Sequence, residues 1–293
     1  MTEILIEPDE LADRLAGDRP PRVLDVRWRL ERTDGREAFA EGHIPGAVYV
    51  DLETELAEAG SPAADGRHPL PSRERLEAAA RRWGISDGDS VVVYDALRSL
   101  SASRAWWLLR DAGIADVRIL DGALRGWISA GHDVETGESS PEPGDVTLGR
   151  GGLAVVDIDG AARVAADGVL LDVRAAERYR GETEPIDPRA GHVPGAVSLP
   201  TVDSTTPDGR FLPADELRER FAAAGVTEGA PVAVYCGSGV TASHAFAALT
   251  LAGYAPILFP GSWSQWSNHP ELPVATGPTP EGASPAASPE AAA

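Results

Sequence analysis

Short unbroken apolar runs alternate along this chain with longer stretches of helical rhythm. The runs are Val23–Val26, Val91–Tyr94, Val117–Leu120, Leu170–Val173, Val232–Tyr235 and Pro256–Phe259. They are too short for buried helices and dominated by branched apolar residues, so they predict strands covered on both faces. Arg73–Trp83, Ser103–Ala112, Ala214–Ala224 and Ala242–Leu251 predict helices, the third opened by Pro213 and Asp215. Strands alternating with helices imply an α/β fold, each unit a mostly parallel sheet with helices on both faces. Ligands of such sheets sit beyond the carboxyl ends of the strands.

The pattern occurs twice. Val23-Leu-Asp-Val-Arg27 returns as Leu170-Leu-Asp-Val-Arg174, and Gly42-His-Ile-Pro-Gly-Ala-Val48 as Gly191-His-Val-Pro-Gly-Ala-Val197. Val91-Val-Val-Tyr-Asp95 returns as Val232-Ala-Val-Tyr-Cys236, and a Trp-bearing turn follows the last strand of each half. The order is kept while the offset drifts, as expected of a duplicated domain with loop insertions rather than a solenoid. The expected division is 1–135, a linker at 136–151 rich in Gly, Pro, Ser and Glu, a second domain at 152–275, and a disordered tail at 276–293. Leu56–Pro69 and Thr201–Gly209 read as surface loops.

Composition narrows the partners. The chain has 293 residues, enough for two domains, and a net charge of -20. No cation cluster offers itself to a phosphate backbone, so no nucleic acid is expected. The N-terminus lacks a basic region before an apolar core, and no stretch approaches a membrane span, so a cytoplasmic protein without a membrane partner is expected. One cysteine allows neither an internal disulfide nor a multi-cysteine metal site. No metal or cofactor is expected.

That cysteine, Cys236, stands between a predicted strand and a predicted helix, and Gly-Ser-Gly follows it. A strand feeding a helix through such a turn gathers backbone N–H groups into a bowl at the helix N-terminus, which favours an anion. A sulfur there is stabilised as the reactive thiolate. Gly237 and Gly239 supply the backbone freedom of a tight cradle. The N–H groups from Gly237 through Val240 to Thr241 are the expected cradle donors. The first half carries Asp95 at the matching place and is expected to be catalytically silent.

The paired Gly-His-x-Pro-Gly-Ala turns and the single Cys236-Gly-Ser-Gly-Val-Thr241 loop resemble the tandem rhodanese-type sulfurtransferases, over nearly the whole chain except its tail. The loop, without basic residues after the cysteine, is most similar to the 3-mercaptopyruvate branch. The resemblance implies a sulfane sulfur carried as a Cys236 persulfide from a small-molecule donor to a thiol, such as thioredoxin or a small thiol, or to cyanide. It implies that Arg180 and Arg189 hold the keto acid, as planar forks suited to a carboxylate. It also suggests a relay of Ser238 with His43 and an acid, for which Asp34 is the candidate and Asp25 the second choice. His192 repeats His43, so turn stabilisation is the competing role for both. Trp263 and Trp266 either line the cleft or pack the core. The alternatives are a thiosulfate sulfurtransferase and a non-enzymatic sulfur carrier. A cysteine phosphatase is disfavoured, because Cys-x5-Arg would need arginine where Ala242 stands.

Overall fold

The computed structural model describes residues 3–29 and 35–282. The first half runs β1 (Leu5–Ile6), α1 (Pro8–Leu15), β2 (Arg22–Asp25), α2 (Gly35–Glu41), β3 (Val48–Tyr49), α3 (Leu52–Glu55), α4 (Arg73–Arg82), β4 (Val91–Tyr94), α5 (Ala102–Asp111), β5 (Val117–Leu120) and α6 (Ala123–Ser129). The second runs α7 (Ile158–Asp167), β6 (Val169–Asp172), α8 (Ala176–Tyr179), β7 (Val197–Ser198), α9 (Ala214–Ala223), β8 (Val232–Tyr235), α10 (Ala242–Leu251), β9 (Pro256–Leu258) and α11 (Ser262–Ser267). The two Trp-bearing turns are the short helices α6 and α11.

Each half forms its own parallel sheet, ordered β1-β5-β4-β2-β3 in the first and β7-β6-β8-β9 in the second. β2 pairs with β4 from Arg22–Val91 to Asp25–Tyr94, and β6 with β8 from Val169–Val232 to Asp172–Tyr235, so the two central registers correspond. A single bridge from Val155 to Leu258 stands in the second sheet where β1 completes the first. β4 and β8 lie inside their sheets with all four residues buried. Unbroken apolar runs are what two covered faces require.

One hydrophobic cluster crosses both halves. α5 and α10 pack together, with the Trp106 and Trp107 rings 6.4 and 6.1 Å from Phe246. The predicted linker is a strap on the first half. Val146 and Leu148 bury against it, and N–H groups of Gly144, Val146 and Gly149 reach carbonyls of Arg81, Ile85 and Ala112. No helix among the described residues is long and apolar enough to cross a membrane.

The repeated motifs explain themselves as turn locks. Arg27 returns to Asp25 and donates to the Gly42 carbonyl, and Arg174 does the same with Asp172 and Gly191. His43 bonds the Phe39 carbonyl at 2.8 Å and Glu135 Oε1 at 3.2 Å, and Gly46 N donates to the same Glu135 oxygen. His192 bonds the Tyr179 carbonyl at 2.8 Å and the Pro280 carbonyl at 3.2 Å, and Gly195 N donates to Pro280. Residues 276–282 of the predicted tail are therefore placed against the second half. The remainder of that tail, 283–293, lies outside the described residues.

Candidate active site

β8 delivers Cys236 to the carboxyl end of the second sheet, 2 % exposed. Its N–H donates to Ser262 Oγ at 3.1 Å and its carbonyl accepts from Trp263 N at 3.0 Å, so the start of α11 pins it. Gly239 N donates to Sγ at 3.2 Å, just before α10 begins. Gly239 has φ +81°, and a side-chain carbon there would lie 2.3 Å from the Pro260 carbonyl oxygen, so only glycine fits. Gly237 is different. Its backbone needs no special freedom, but a side-chain carbon would sit 3.2 Å from Arg67 Nη2 and 3.4 Å from Arg178 Nη1. It is small to admit two guanidinium groups.

The sulfur lines a cavity of about 370 Å³ between the halves. Gly237, Ser238, Val240, Thr241 and Arg178 come from the second half, and Trp28, Arg67, Leu97 and Leu100 from the first. On one side Ser238 Oγ lies 2.7 Å from His68 Nδ1, and His68 Nε2 lies 3.0 Å from Glu53 Oε2. Nε2 facing a carboxylate carries the proton, so Nδ1 accepts from the Ser238 hydroxyl. Glu53 also accepts from Trp28 Nε1. The bond from His68 holds the Glu53 carboxyl below its usual range, against a smaller opposing push from burial.

On the other side Arg67 pairs with Asp187, and Arg178 with Glu184 at 2.6 Å and Asp187 at 3.4 Å. Burial pushes the Asp187 carboxyl up although Arg67 pulls it down. Of the three arginines that line the cavity, Arg67 and Arg178 have these two carboxylates behind them and Arg29 is exposed to solvent. The pair beside the sulfur leaves little net charge for a ligand to answer.

Several expected site residues lie elsewhere. His43 is a buried turn lock on Glu135 and makes no bond to Ser238; His68 fills that place instead. Asp34 lies outside the described residues, and Asp25 is consumed by Arg27. Arg180 is a surface residue paired with Glu182; it caps the C-terminus of α8, two positions past the Arg178 that lines the cavity. Arg189 is spent on main-chain carbonyls of Trp266 and Ser267 in the last turn of α11 and of His269 and Leu272 beyond it. Trp263 and Trp266 pack the core. Cys236, Ser238, Gly237, Gly239, Val240 and Thr241 do come together, although Gly239 is the one cradle N–H that bonds the sulfur.

The residues missed were His68, Glu53, Arg67 and Trp28 in the first half and Arg178 in the second. The repeat itself held a signal for His68. A histidine matched in both halves belongs to the shared scaffold, whereas His68 has no counterpart. The predicted surface loop Leu56–Pro69 carries it inward to 4 % exposure.

The Rhodanese-like domain family matches residues 7–130 and 159–269. The chain is 47 % identical over 278 residues to SseB of Mycobacterium tuberculosis, a candidate thiosulfate sulfurtransferase, covering 94 % of this chain and 98 % of that one. It is 44 % identical over 283 residues to a candidate 3-mercaptopyruvate sulfurtransferase of Pseudomonas aeruginosa, covering 93 % and 98 %. The crystal structure of the 3-mercaptopyruvate sulfurtransferase SseA from Escherichia coli superposes with TM-score 0.79 at 32 % identity, over 90 % of this chain and 99 % of that one. Two rhodanese domains, matched on both sequence and fold, place the chain in the rhodanese family as a tandem sulfurtransferase.

Proposed function

We propose that the cavity takes 3-mercaptopyruvate and that Cys236 receives its sulfur as a persulfide. The observation behind this reading is the placement of the sulfur. It lies between a Ser238–His68–Glu53 chain and two guanidinium groups whose charges are largely answered by Asp187 and Glu184. A monoanion with a carbonyl suits a nearly neutral cluster of donors, and a small dianion such as thiosulfate suits it less.

The step balances without a further reactant. The Cys236 thiolate attacks the donor sulfur, an S–S bond forms, and the C–S electron pair leaves as the enolate of pyruvate. The proton of the donor thiol ends on that carbon. Ser238, poised by His68 and Glu53, holds it in transit, while Arg67 and Arg178 orient the carboxylate and ketone. Cys236 is the chain's one cysteine, so the persulfide is discharged to an outside acceptor, a small thiol, thioredoxin or cyanide. A reducing, cytoplasmic setting suits a free catalytic thiol.

A second reading, thiosulfate as donor, has the M. tuberculosis relative on its side. Steady-state kinetics with both donors and one acceptor separate the two. The expected outcome is a kcat/KM for mercaptopyruvate at least about tenfold higher, the equivalent of 1.4 kcal/mol in transition-state binding. Preference for thiosulfate would reverse the assignment.

A further inference from the structure

Arg104, on α5, is fully buried at the junction of the halves. Its guanidinium meets only carbonyls. Nη2 donates to His68 O at 2.9 Å, Leu56 O at 3.2 Å and Pro69 O at 3.3 Å, and Nη1 to Gly239 O at 3.4 Å. Among the described residues no carboxylate pairs with it. A cation buried without an anion is costly, and one kept in a fold calls for a reason. Burial pushes the Arg104 pKa down to about 10, and Cys236 is the group whose charge pulls it back up.

The other helix of the packed pair gives the contrast. The third residue of α5 is Arg104, and the third of α10 is His244, also fully buried. Burial pushes His244 down to about 3, so it is neutral; it rests against Phe211 and bonds Thr201 Oγ1 at 2.7 Å. A permanent cation thus stands only on the side of the sulfur. The remaining charged or titratable groups around the Cys236 cavity are Arg67 and Arg178, which Asp187 and Glu184 answer, His68 behind Ser238, and Arg29, which is exposed to solvent where Arg104 is buried.

Building on the sulfurtransferase reading, we propose that Arg104 is a positioning residue. It ties the Gly239 turn to the segment bearing Arg67 and His68, and it supplies the unanswered positive charge against which a sulfur anion on Cys236 is held. The test is alkylation of Cys236 by iodoacetamide across pH in the wild type, Arg104→Met and Arg104→Lys, alongside melting temperatures. Arg104→Met is expected to slow alkylation about tenfold near neutrality and to displace the profile to higher pH. Arg104→Lys keeps the charge but not the fork, and is expected to recover most of that loss. A folded Arg104→Met whose profile superposes on the wild type would overturn the proposal. So would a folded Arg104→Lys that alkylates no faster than Arg104→Met, or, where Arg104→Met does not fold, a folded Arg104→Gln that alkylates like the wild type. Alkylation uses no sulfur donor. A displaced profile in a protein that turns over neither donor therefore leaves Arg104 assigned and removes the proposed reaction instead.

Discussion

The carboxyl ends of β4 and β8 carry the same bowl with different contents. In the first half the Asp95 carboxylate accepts from the N–H groups of Leu97 (2.7 Å), Ser99 (2.9 Å), Ser101 (2.8 Å) and Ala102 (3.0 Å), and from Ser101 Oγ (2.9 Å). In the second, Cys236 Sγ accepts from Gly239 N alone. The backbone differs to match. The residue three places after Cys236 is Gly239 at φ +81°; three places after Asp95 stands Arg98 at φ +58°, followed by Ser99 at +64°. Left-handed backbone costs a residue with a side chain about 1–2 kcal/mol. The built-in carboxylate holds that strained loop shut. The Asp95 bowl is thus a picture of the Cys236 bowl filled by an anion: the single sulfur atom accepts one N–H where the carboxylate accepts four.

The most drastic way to erase the difference is Cys236→Asp. Sulfur transfer should fall more than about a thousandfold, since the chain has no second thiol to carry the sulfur, while the fold persists. Persulfide detection by mass spectrometry, with a melting curve, checks both halves of that statement. Next in size, Asp95→Ala strands the buried N–H groups of Ser99, Ser101 and Ala102 and the half-buried one of Leu97, and should cost about 3–5 kcal/mol by denaturant unfolding. Sulfur transfer by the surviving folded protein should change far less than stability does.

A finer cut concerns the chain beside the active bowl. Glu53→Gln should lower kcat about tenfold to a hundredfold by removing the carboxylate that fixes the His68 tautomer. Because the Glu53 carboxyl is held below its usual range, its contribution lasts as pH falls through the ordinary glutamate range and disappears only below the lowered value. The variant should lose that acid limb, which a pH–kcat profile reads directly. The smallest effect is expected for Arg98→Gly. Relief of left-handed strain is partly offset by the greater freedom of glycine in the unfolded chain, leaving a gain of up to about 1 kcal/mol in thermal stability.

The sheets were legible because two-sided burial writes itself as apolar runs, and Val232–Tyr235 and Ala242–Leu251 fall where the pattern puts them. Cys236 was legible because strand, glycines and helix are contiguous. The partners of Ser238 were not. His68 reaches it across 170 positions of chain from a loop of no periodicity, and Glu53, 185 positions away on α3, stands behind His68. His43 sat in the more conspicuous motif and belonged to the scaffold. The arginines failed for a subtler reason. Arg178 and Arg180 lie two apart on a single turn of helix, so one faces the cavity and the other faces water. Only the packing of α8 decides which.

Pro280 and Glu135 hold equivalent turns by different means, one with a main-chain oxygen and the other with a side chain. A change of residue type at 135 should therefore loosen the first turn, whereas the second tolerates almost any residue at 280 yet not a missing one. Apart from Gly277 and Gly282, whose backbone is left-handed, the side chains of that terminal stretch can change while its length cannot fall below this point, and an expression boundary drawn at 275 would trim away a working part.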